Sequence, residues 1–163
     1  MRPFEVIGAR PYDEVRVSCH LVKQGFVDVL DAIHLAGALP ERFVIVPVPG
    51  HDGTAATMLP LARCILAEAV KAGKKGVIRA VIVGNRRKSV YETKKQGKPV
   101  KDTRFGFRLR YPVHDRRELE MFADIGYQVV LLDNVVDTGA TVEAALKVVG
   151  KASVMAIGDT QAD

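Results

Sequence analysis

The segment from Val129 to Thr141 joins a run of apolar residues to a polar turn whose residue types can bind a sugar phosphate. Asp133 stands where the apolar run ends, and its carboxylate can accept hydrogen bonds from sugar hydroxyl groups. Thr138 adds a hydroxyl donor, and Gly139 lets the backbone approach a ligand closely. If the turn opens a helix, backbone N–H groups without helical partners and the positive end of the helix dipole attract a phosphate.

The same turn also has a purely structural interpretation. Asp and Thr are common helix caps, so Asp137 or Thr138 would satisfy the free amides with its own side chain. From residue chemistry alone we give the two interpretations about equal weight. They differ in whether the amides around Thr138 and Gly139 face an anion pocket or are used by the protein itself.

The residue order of this segment resembles the signature of the type I phosphoribosyltransferases. In that family a hydrophobic strand leads to two adjacent acids, two apolar residues and then Thr-Gly-x-Thr or a similar sequence. Here the signature reads Leu131-Leu-Asp-Asn-Val-Val-Asp-Thr-Gly-Ala-Thr141, with Asn134 in the place of the second acid. The resemblance extends over the predicted strands and helices from Phe43 to Gly158. It implies an α/β fold with a mainly parallel sheet flanked by helices and a small N-terminal hood.

The resemblance also implies roles for single residues. Asp133 and Asn134 would bind the ribose of phosphoribosyl pyrophosphate, and Asp133 would hold Mg²⁺. The 5-phosphate would be cradled by Asp137, Thr138, Gly139, Ala140 and Thr141. In the hypoxanthine–guanine branch of the family an acid in the place of Asp137 lies near the purine, which makes Asp137 the candidate general acid or base.

Two other loops fall where this family has a pyrophosphate loop and a flexible loop. The pyrophosphate loop would be Gly50, His51, Asp52 and Gly53, which read as a turn. The flexible loop would be Asn85 to Thr103, because a loop of this length is uncommon inside a compact domain and is often a lid. Its best candidates for ligand contact are Arg86, Arg87 and Lys88, which lie nearest the preceding strand.

Positive charge is concentrated near this second loop. From Asn85 to Arg110 there are ten Lys and Arg residues against two Asp and Glu, whereas the rest of the chain has 14 basic and 17 acidic residues. Three interpretations remain open: a solvated surface loop, a lid that closes over pyrophosphate, and a nucleic-acid-binding patch. We weight the first two equally and the third less. The uneven charge favours a local anionic partner.

Length and composition set the broader expectations. A chain of 163 residues predicts one domain, with residues 1–40 as the hood and 41–163 as the core. No apolar run approaches the roughly 20 residues that span a membrane, and the N-terminus is too polar for a signal peptide. Cys19 and Cys64 have no metal-ligand spacing. We therefore expect a cytoplasmic protein without membrane association. We also expect a homodimer.

Apolar spacing predicts alternating helices and strands. One long helix is expected over Leu21 to Leu39, with Val22, Phe26, Val29, Leu30 and Ile33 on its buried face. Another helix would follow a cap at Thr54, or begin later because of Pro60. The remaining predicted elements are strands at Phe43 to Pro49, Val77 to Val83, Arg104 to Tyr111, Tyr127 to Asp133 and Ser153 to Ile157, and helices at Glu118 to Ile125 and Val142 to Val149.

Two functional hypotheses follow. The first is an enzyme that uses Mg²⁺ to transfer phosphoribosyl from phosphoribosyl pyrophosphate to a nitrogenous base, with release of pyrophosphate. The second is a non-catalytic sensor of phosphoribosyl pyrophosphate or a nucleoside monophosphate that regulates a partner, with nucleic acid as one candidate partner. Asn134 favours the second, because an amide carries no charge for a metal. The chain has no Gly-x-Gly-x-x-Gly, Walker A or Gly-x-Ser-x-Gly motif, which argues against dinucleotide enzymes, P-loop NTPases and α/β-hydrolases.

Overall fold

The computed structural model describes residues 2–87, 97 and 105–162. The strands are β1 (Val6–Ile7), β2 (Arg10–Pro11), β3 (Arg42–Pro47), β4 (Lys75–Ile78), β5 (Ile82–Val83), β6 (Arg108–Leu109), β7 (Gln128–Val136) and β8 (Ser153–Asp159). The helices are α1 (Tyr12–Lys23), α2 (Val29–Ala38), α3 (Leu59–Lys71), α4 (Pro112–Asp124) and α5 (Ala140–Val149).

Six of these strands form one parallel sheet. Its order is β1-β8-β7-β3-β4, with β2 also pairing with β8, and every pairing is parallel. The central strands β3, β7 and β8 are buried along most of their length, as expected for parallel strands covered on both faces. The predicted α/β fold with a mainly parallel sheet flanked by helices is confirmed at this level.

Alternate residues of the central strands contact helices on opposite faces. In β7, Val130 and Leu132 belong to the core beneath α1, α2 and α3. Val129 and Leu131 belong to the core beneath α4 and α5. The parallel register places the carboxyl ends of β3, β7 and β8 at one edge of the sheet, which is where ligands bind in open α/β sheets.

The single long helix predicted from Leu21 to Leu39 is wrong. The chain breaks after α1, where Gly25 has a φ of +86°, and Asp28 caps α2 by accepting a hydrogen bond from the Leu30 amide at 2.9 Å. The apolar spacing from Leu21 to Leu39 therefore runs across two separate helices, and each helix buries a different face. Of the five residues predicted to be buried only Val22 is, and the exposed ones are Phe26, Val29, Leu30 and Ile33.

Two predicted strands are only partly correct. The strand predicted over Val77 to Val83 is split, because β4 ends at Ile78 and β5 pairs with β6 in a separate antiparallel sheet. The strand predicted over Arg104 to Tyr111 begins at a residue outside those described, and its described part is a strand only at β6. Tyr111 is 55% exposed because the chain turns there into α4, with the Asp115 carboxylate accepting a hydrogen bond from the Tyr111 amide.

Helix boundaries also differ from the predictions. The helix predicted after Thr54 begins at Leu59 with Pro60 in its first turn, as the later-start alternative required. Thr54 instead bonds to Asp52. The helix predicted to begin at Glu118 begins at Pro112, because proline suits the first turn of a helix. None of the described helices combines the length and apolar character needed to cross a membrane.

Candidate functional site

A cleft of about 780 Å³ lies at the carboxyl edge of the sheet. Its walls come from α1, the loop after β3, the chain after β5, and the end of β7 with the turn into α5. The sequence-predicted residues that line it are Gly50, His51, Asp52, Arg87, Asp133, Asn134, Asp137, Thr138, Gly139, Ala140 and Thr141. Gly53 and Arg86 are described but do not line it, and Lys88 lies outside the described residues, as does most of the basic loop.

The turn from Asp137 to Gly139 presents backbone amides at the start of α5. The N-cap position belongs to Gly139, at a φ of +92°, so neither Asp137 nor Thr138 occupies it. The Thr138 hydroxyl accepts one hydrogen bond, from the Ala140 amide at 3.3 Å. Within the described part of the chain, the amides of Thr138, Gly139 and Thr141 have no protein acceptor. These three donors therefore remain available at the positive end of a helix dipole.

Asp137 is held by residues near both ends of the chain. Its Oδ1 accepts a hydrogen bond from the Thr160 hydroxyl at 2.9 Å. Its backbone oxygen accepts one from Gln161 Nε2 at 3.3 Å and one from Arg2 Nη1 at 3.5 Å. The carboxylate is exposed and lines the cleft, so the residue combines a fixed backbone with an accessible side chain.

Asp133 lies three residues before the end of β7 and lines the cleft with its carboxylate. Burial raises the pKa of this carboxyl to about 6, because desolvation disfavours its charged form. Three groups lower the pKa and partly offset this effect. They are the Asn134 backbone amide, which donates to Asp133 Oδ1 at 2.8 Å, and the charges of Arg87 and Lys23. The group thus titrates close to neutral pH, where a carboxylate can exchange a proton or bind hydroxyls and cations.

Asn134 ties β7 to α1. Its Nδ2 donates to the Cys19 backbone oxygen at 2.8 Å, and the residue is 8% exposed. Its Oδ1 is buried and has no hydrogen-bond partner among the described residues. The side-chain amide donor is therefore committed to α1. Burial and the charge of Asp31 raise the pKa of the neighbouring Cys19 thiol to about 12, so this cysteine stays protonated and is a poor nucleophile.

The loop from Gly50 to Gly53 is closed by its own hydrogen bonds. Asp52 accepts from the Thr54 amide and the Thr54 hydroxyl, each at 2.9 Å, and the Thr54 amide bond is the main cause of its lowered pKa. The amide of Gly50 donates to the Thr54 oxygen at 2.9 Å, and that of Gly53 donates to the Gly50 oxygen at 3.0 Å. The turn predicted here is confirmed.

Arg87 fastens the chain after β5 to this loop. Its guanidinium donates to the Gly50 oxygen at 2.8 Å and to the Pro49 oxygen at 3.0 Å. The same group lies 4.8 Å from the centre of the Phe105 ring and 5.2 Å from that of Phe107. Arg87 therefore contributes positive charge to a wall of the cleft while its donors contact backbone oxygens.

Several residues of the site were not predicted from the sequence. Tyr12 and Lys23 line the cleft from α1, which packs against β7 and β8. Thr160 lines it from the chain after β8. A weak signal existed for Lys23, because a basic residue in the last turn of a helix is favourable there and stays exposed. The other two depend on how α1 packs and on the C-terminal turn, Thr160 and Gln161, which follows β8.

The carboxylates offer limited support for a metal. The described residues contain no group of three or more His, Cys, Asp or Glu side chains that could hold a metal ion. A magnesium ion bound mainly by substrate oxygens needs only one or two protein carboxylates. Asp133 meets that smaller requirement, because it is an ionisable carboxylate facing the cleft.

No protein-family model matches the chain, and a search of curated proteins gives no match either. The function is therefore inferred from the cleft and from the residues that form it.

Proposed function

We propose that the cleft binds phosphoribosyl pyrophosphate and that the protein is a type I phosphoribosyltransferase-like enzyme. One observation carries the proposal: the amides of Thr138, Gly139 and Thr141, which have no acceptor among the described residues, belong to residues that line the same cleft as Asp133. Amides at a helix N-terminus suit a phosphate, and a carboxylate at the adjacent strand end suits sugar hydroxyls. A ribose 5-phosphate group presents both chemistries a few ångströms apart.

Each group of the ligand is assigned to one wall of the cleft. The 5-phosphate binds the turn at Thr138, and the ribose hydroxyls bind Asp133. The pyrophosphate extends toward the loop at Gly50, where Arg87 contributes positive charge. The acceptor base approaches between the turn and α1, where Tyr12 offers an aromatic surface.

In this proposal the enzyme breaks the bond between ribose C1 and the pyrophosphate oxygen and forms a bond from C1 to a nitrogen of the base. Positive charge that develops on the ribose is stabilised by the nearby Asp133 carboxylate. Asp137 acts as the general acid or base at the acceptor nitrogen, with Thr160 fixing its carboxylate. Asp133 would hold Mg²⁺ together with oxygens of the substrate, and the ion would supply charge neutralisation for the leaving pyrophosphate.

A second candidate function is a sensor that binds phosphoribosyl pyrophosphate or a nucleoside monophosphate without turnover. The observation that favours it is the bond from Asn134 Nδ2 to the Cys19 oxygen, because it links the strand end of the cleft to the hood helix. Occupancy of the cleft would then be transmitted to α1, and through it to a protein or nucleic-acid partner.

Calorimetry and a pyrophosphate-release assay separate these functions. Wild-type protein is titrated with phosphoribosyl pyrophosphate, with and without Mg²⁺, and then assayed with a panel of purine and pyrimidine bases. Release that depends on a base supports the enzyme, whereas binding without release on any base supports the sensor. Asp133→Ala should weaken binding at least tenfold, about 1.4 kcal/mol, while Asp124→Ala on the exposed face of α4 should not. Unchanged binding by Asp133→Ala would falsify the ribose assignment.

A further inference from the structure

The N-terminal strap, residues Arg2 to Phe4, packs against the outer side of the turn that presents the amides. One guanidinium nitrogen of Arg2, Nη2, lies 2.8 Å from both carboxylate oxygens of Asp159. Both side chains are nearly buried, with 13% exposed for Arg2 and 8% for Asp159. A Cβ atom added to Gly139 would lie 2.9 Å from Phe4 Cζ and 3.0 Å from Arg2 Cδ, so the strap contacts the turn directly.

The strap and the C-terminal turn hold the same carbonyl group. The Asp137 oxygen accepts hydrogen bonds from Arg2 Nη1 and from Gln161 Nε2. The position of Gln161 is in turn fixed by Asp159, whose Oδ1 accepts from the Gln161 backbone amide at 2.9 Å. Neither Arg2 nor Gln161 lines the cleft, so both donors approach Asp137 from its outer side.

Peptide geometry carries this constraint into the cleft. A trans peptide unit is planar, so the C=O of residue 137 and the N–H of residue 138 point in opposite directions. The described residues contain no cis peptide bond. Two donors that hold the Asp137 oxygen outward therefore direct the Thr138 N–H toward the cleft, which Thr138 lines.

We propose that Arg2 is a positioning residue that aims the Thr138 amide at the phosphate of the ligand, with Asp159 orienting Arg2 and Gln161 assisting it. This inference deepens the proposed function and rests on it for the identity of the ligand. It assigns to the strap a role in completing the phosphate site, because without the outer donors the peptide unit between Asp137 and Thr138 is free to rotate.

The test uses the amide signal of Thr138 in ¹⁵N–¹H NMR spectra of the full chain, with ribose 5-phosphate as the probe. In wild-type protein the Thr138 signal should move downfield on titration. In Arg2→Met the dissociation constant should rise about tenfold, since an aligned bond to a charged group is lost, and the Thr138 shift should shrink. Arg2→Lys should recover part of the affinity. Arg63→Met, which removes the same charge from an exposed position on α3, should behave like the wild type.

A ligand-free comparison separates this inference from the proposed function. Without any probe, the Thr138 amide should differ in chemical shift and hydrogen-exchange rate between wild-type protein and Arg2→Met. If the wild type does not bind ribose 5-phosphate, the proposed function fails, but this comparison still decides the role of Arg2.

A second variant covers the case in which Arg2→Met does not fold. Gln161→Ala removes the other donor to the Asp137 oxygen from an exposed side chain, and it should cause a smaller change of the same kind, about twofold to fourfold in affinity. Wild-type affinity and a wild-type Thr138 signal in both the Arg2 and Gln161 variants would overturn the inference. If Arg2→Met is unfolded, the same result in Gln161→Ala alone overturns it.

Discussion

The turn at Asp137 to Gly139 and the loop at Gly50 to Gly53 both follow central strands and both line the cleft, yet they use their polar groups differently. In the loop, the Asp52 carboxylate accepts hydrogen bonds from the amide and hydroxyl of Thr54, and Arg87 donates to the oxygens of Gly50 and of the preceding Pro49. The turn leaves three amides without acceptors among the described residues and is held in place from outside instead. The carboxylate of the loop is therefore bonded within the protein, whereas the amides of the turn can donate to a ligand.

The largest expected effect comes from distorting the turn with a side chain. Gly139→Val should abolish detectable binding of ribose 5-phosphate, because a side chain at a φ of +92° is strained and meets Phe4 and Arg2. The strain should also lower the free energy of unfolding by about 1–3 kcal/mol. Calorimetric titration and thermal unfolding measure the two effects.

A matched change in α2 provides the control for Gly139→Val. Gly37 is exposed in this helix, and no atom lies within 4 Å of a Cβ added there, so Gly37→Ala should leave binding unchanged. If Gly139→Val binds like the wild type, the turn is not the phosphate site, and the contrast between turn and loop loses its functional meaning.

The next effect concerns one hydroxyl of the turn. Thr138→Val should weaken phosphoribosyl pyrophosphate binding by roughly 1.5–3 kcal/mol, the usual value of a hydrogen bond to a charged group. It also removes the acceptor of the Ala140 amide. Thr54→Val, next to the loop at Gly50 to Gly53, is the matched comparison, because it removes a hydroxyl that bonds to Asp52 and not to a ligand. Equal losses of affinity in the two variants would erase the predicted difference.

The sequence predicted the part of the fold that apolar runs determine. Strands β3, β7 and β8 were found within a few residues, because continuous burial on both faces leaves an unambiguous signal. The break between α1 and α2 was missed, because apolar residues on both sides of Gly25 continue a helical spacing by coincidence. Phe26 and Leu30 show the consequence, since both were expected in the core and both are exposed.

The candidate site was predictable only where its residues are adjacent in the chain. Asp133 and the turn residues lie within one segment, so their spacing carried the prediction. Tyr12 and Thr160 lie near opposite ends of the chain and reach the cleft only because α1 packs against β8 and the chain after β8 bonds back to the end of β7. Arg2 is a further example, since its contact with the Asp137 oxygen depends on a pairing with Asp159 that no local pattern indicates.

At Asp133 a substitution is expected to stabilise the protein, whereas Gly139→Val is expected to destabilise it. Its pKa is raised to about 6 from an ordinary value of 3.8, so the folded protein holds a proton that the unfolded chain releases. Stability should therefore be highest below pH 3.8 for this group and fall as the pH rises to about 6. Asp133→Asn should remove this slope and raise the free energy of unfolding at pH 7 by on the order of 1–3 kcal/mol, while weakening ligand binding. Denaturant unfolding at several pH values tests it, and an unchanged slope would contradict the buried-carboxylate argument.

The smallest effect on stability and affinity should come from the loop at Gly50 to Gly53. Asp52→Ala removes the acceptor of the Thr54 amide and hydroxyl, which should cost about 0.5–1 kcal/mol of stability because the pair is exposed. The pKa of Asp52 is lowered from 3.8, so its contribution is present above that value and is lost as the pH falls through the lower folded pKa. Thermal unfolding should therefore separate variant from wild type at pH 7, and the separation should shrink as the pH is lowered below 3.8. Affinity for ribose 5-phosphate, which does not reach this loop in the proposed pose, should stay within about twofold of the wild type. A loss as large as that of Thr138→Val would mean that the loop donates to the phosphate as well, and the two regions would then share one role.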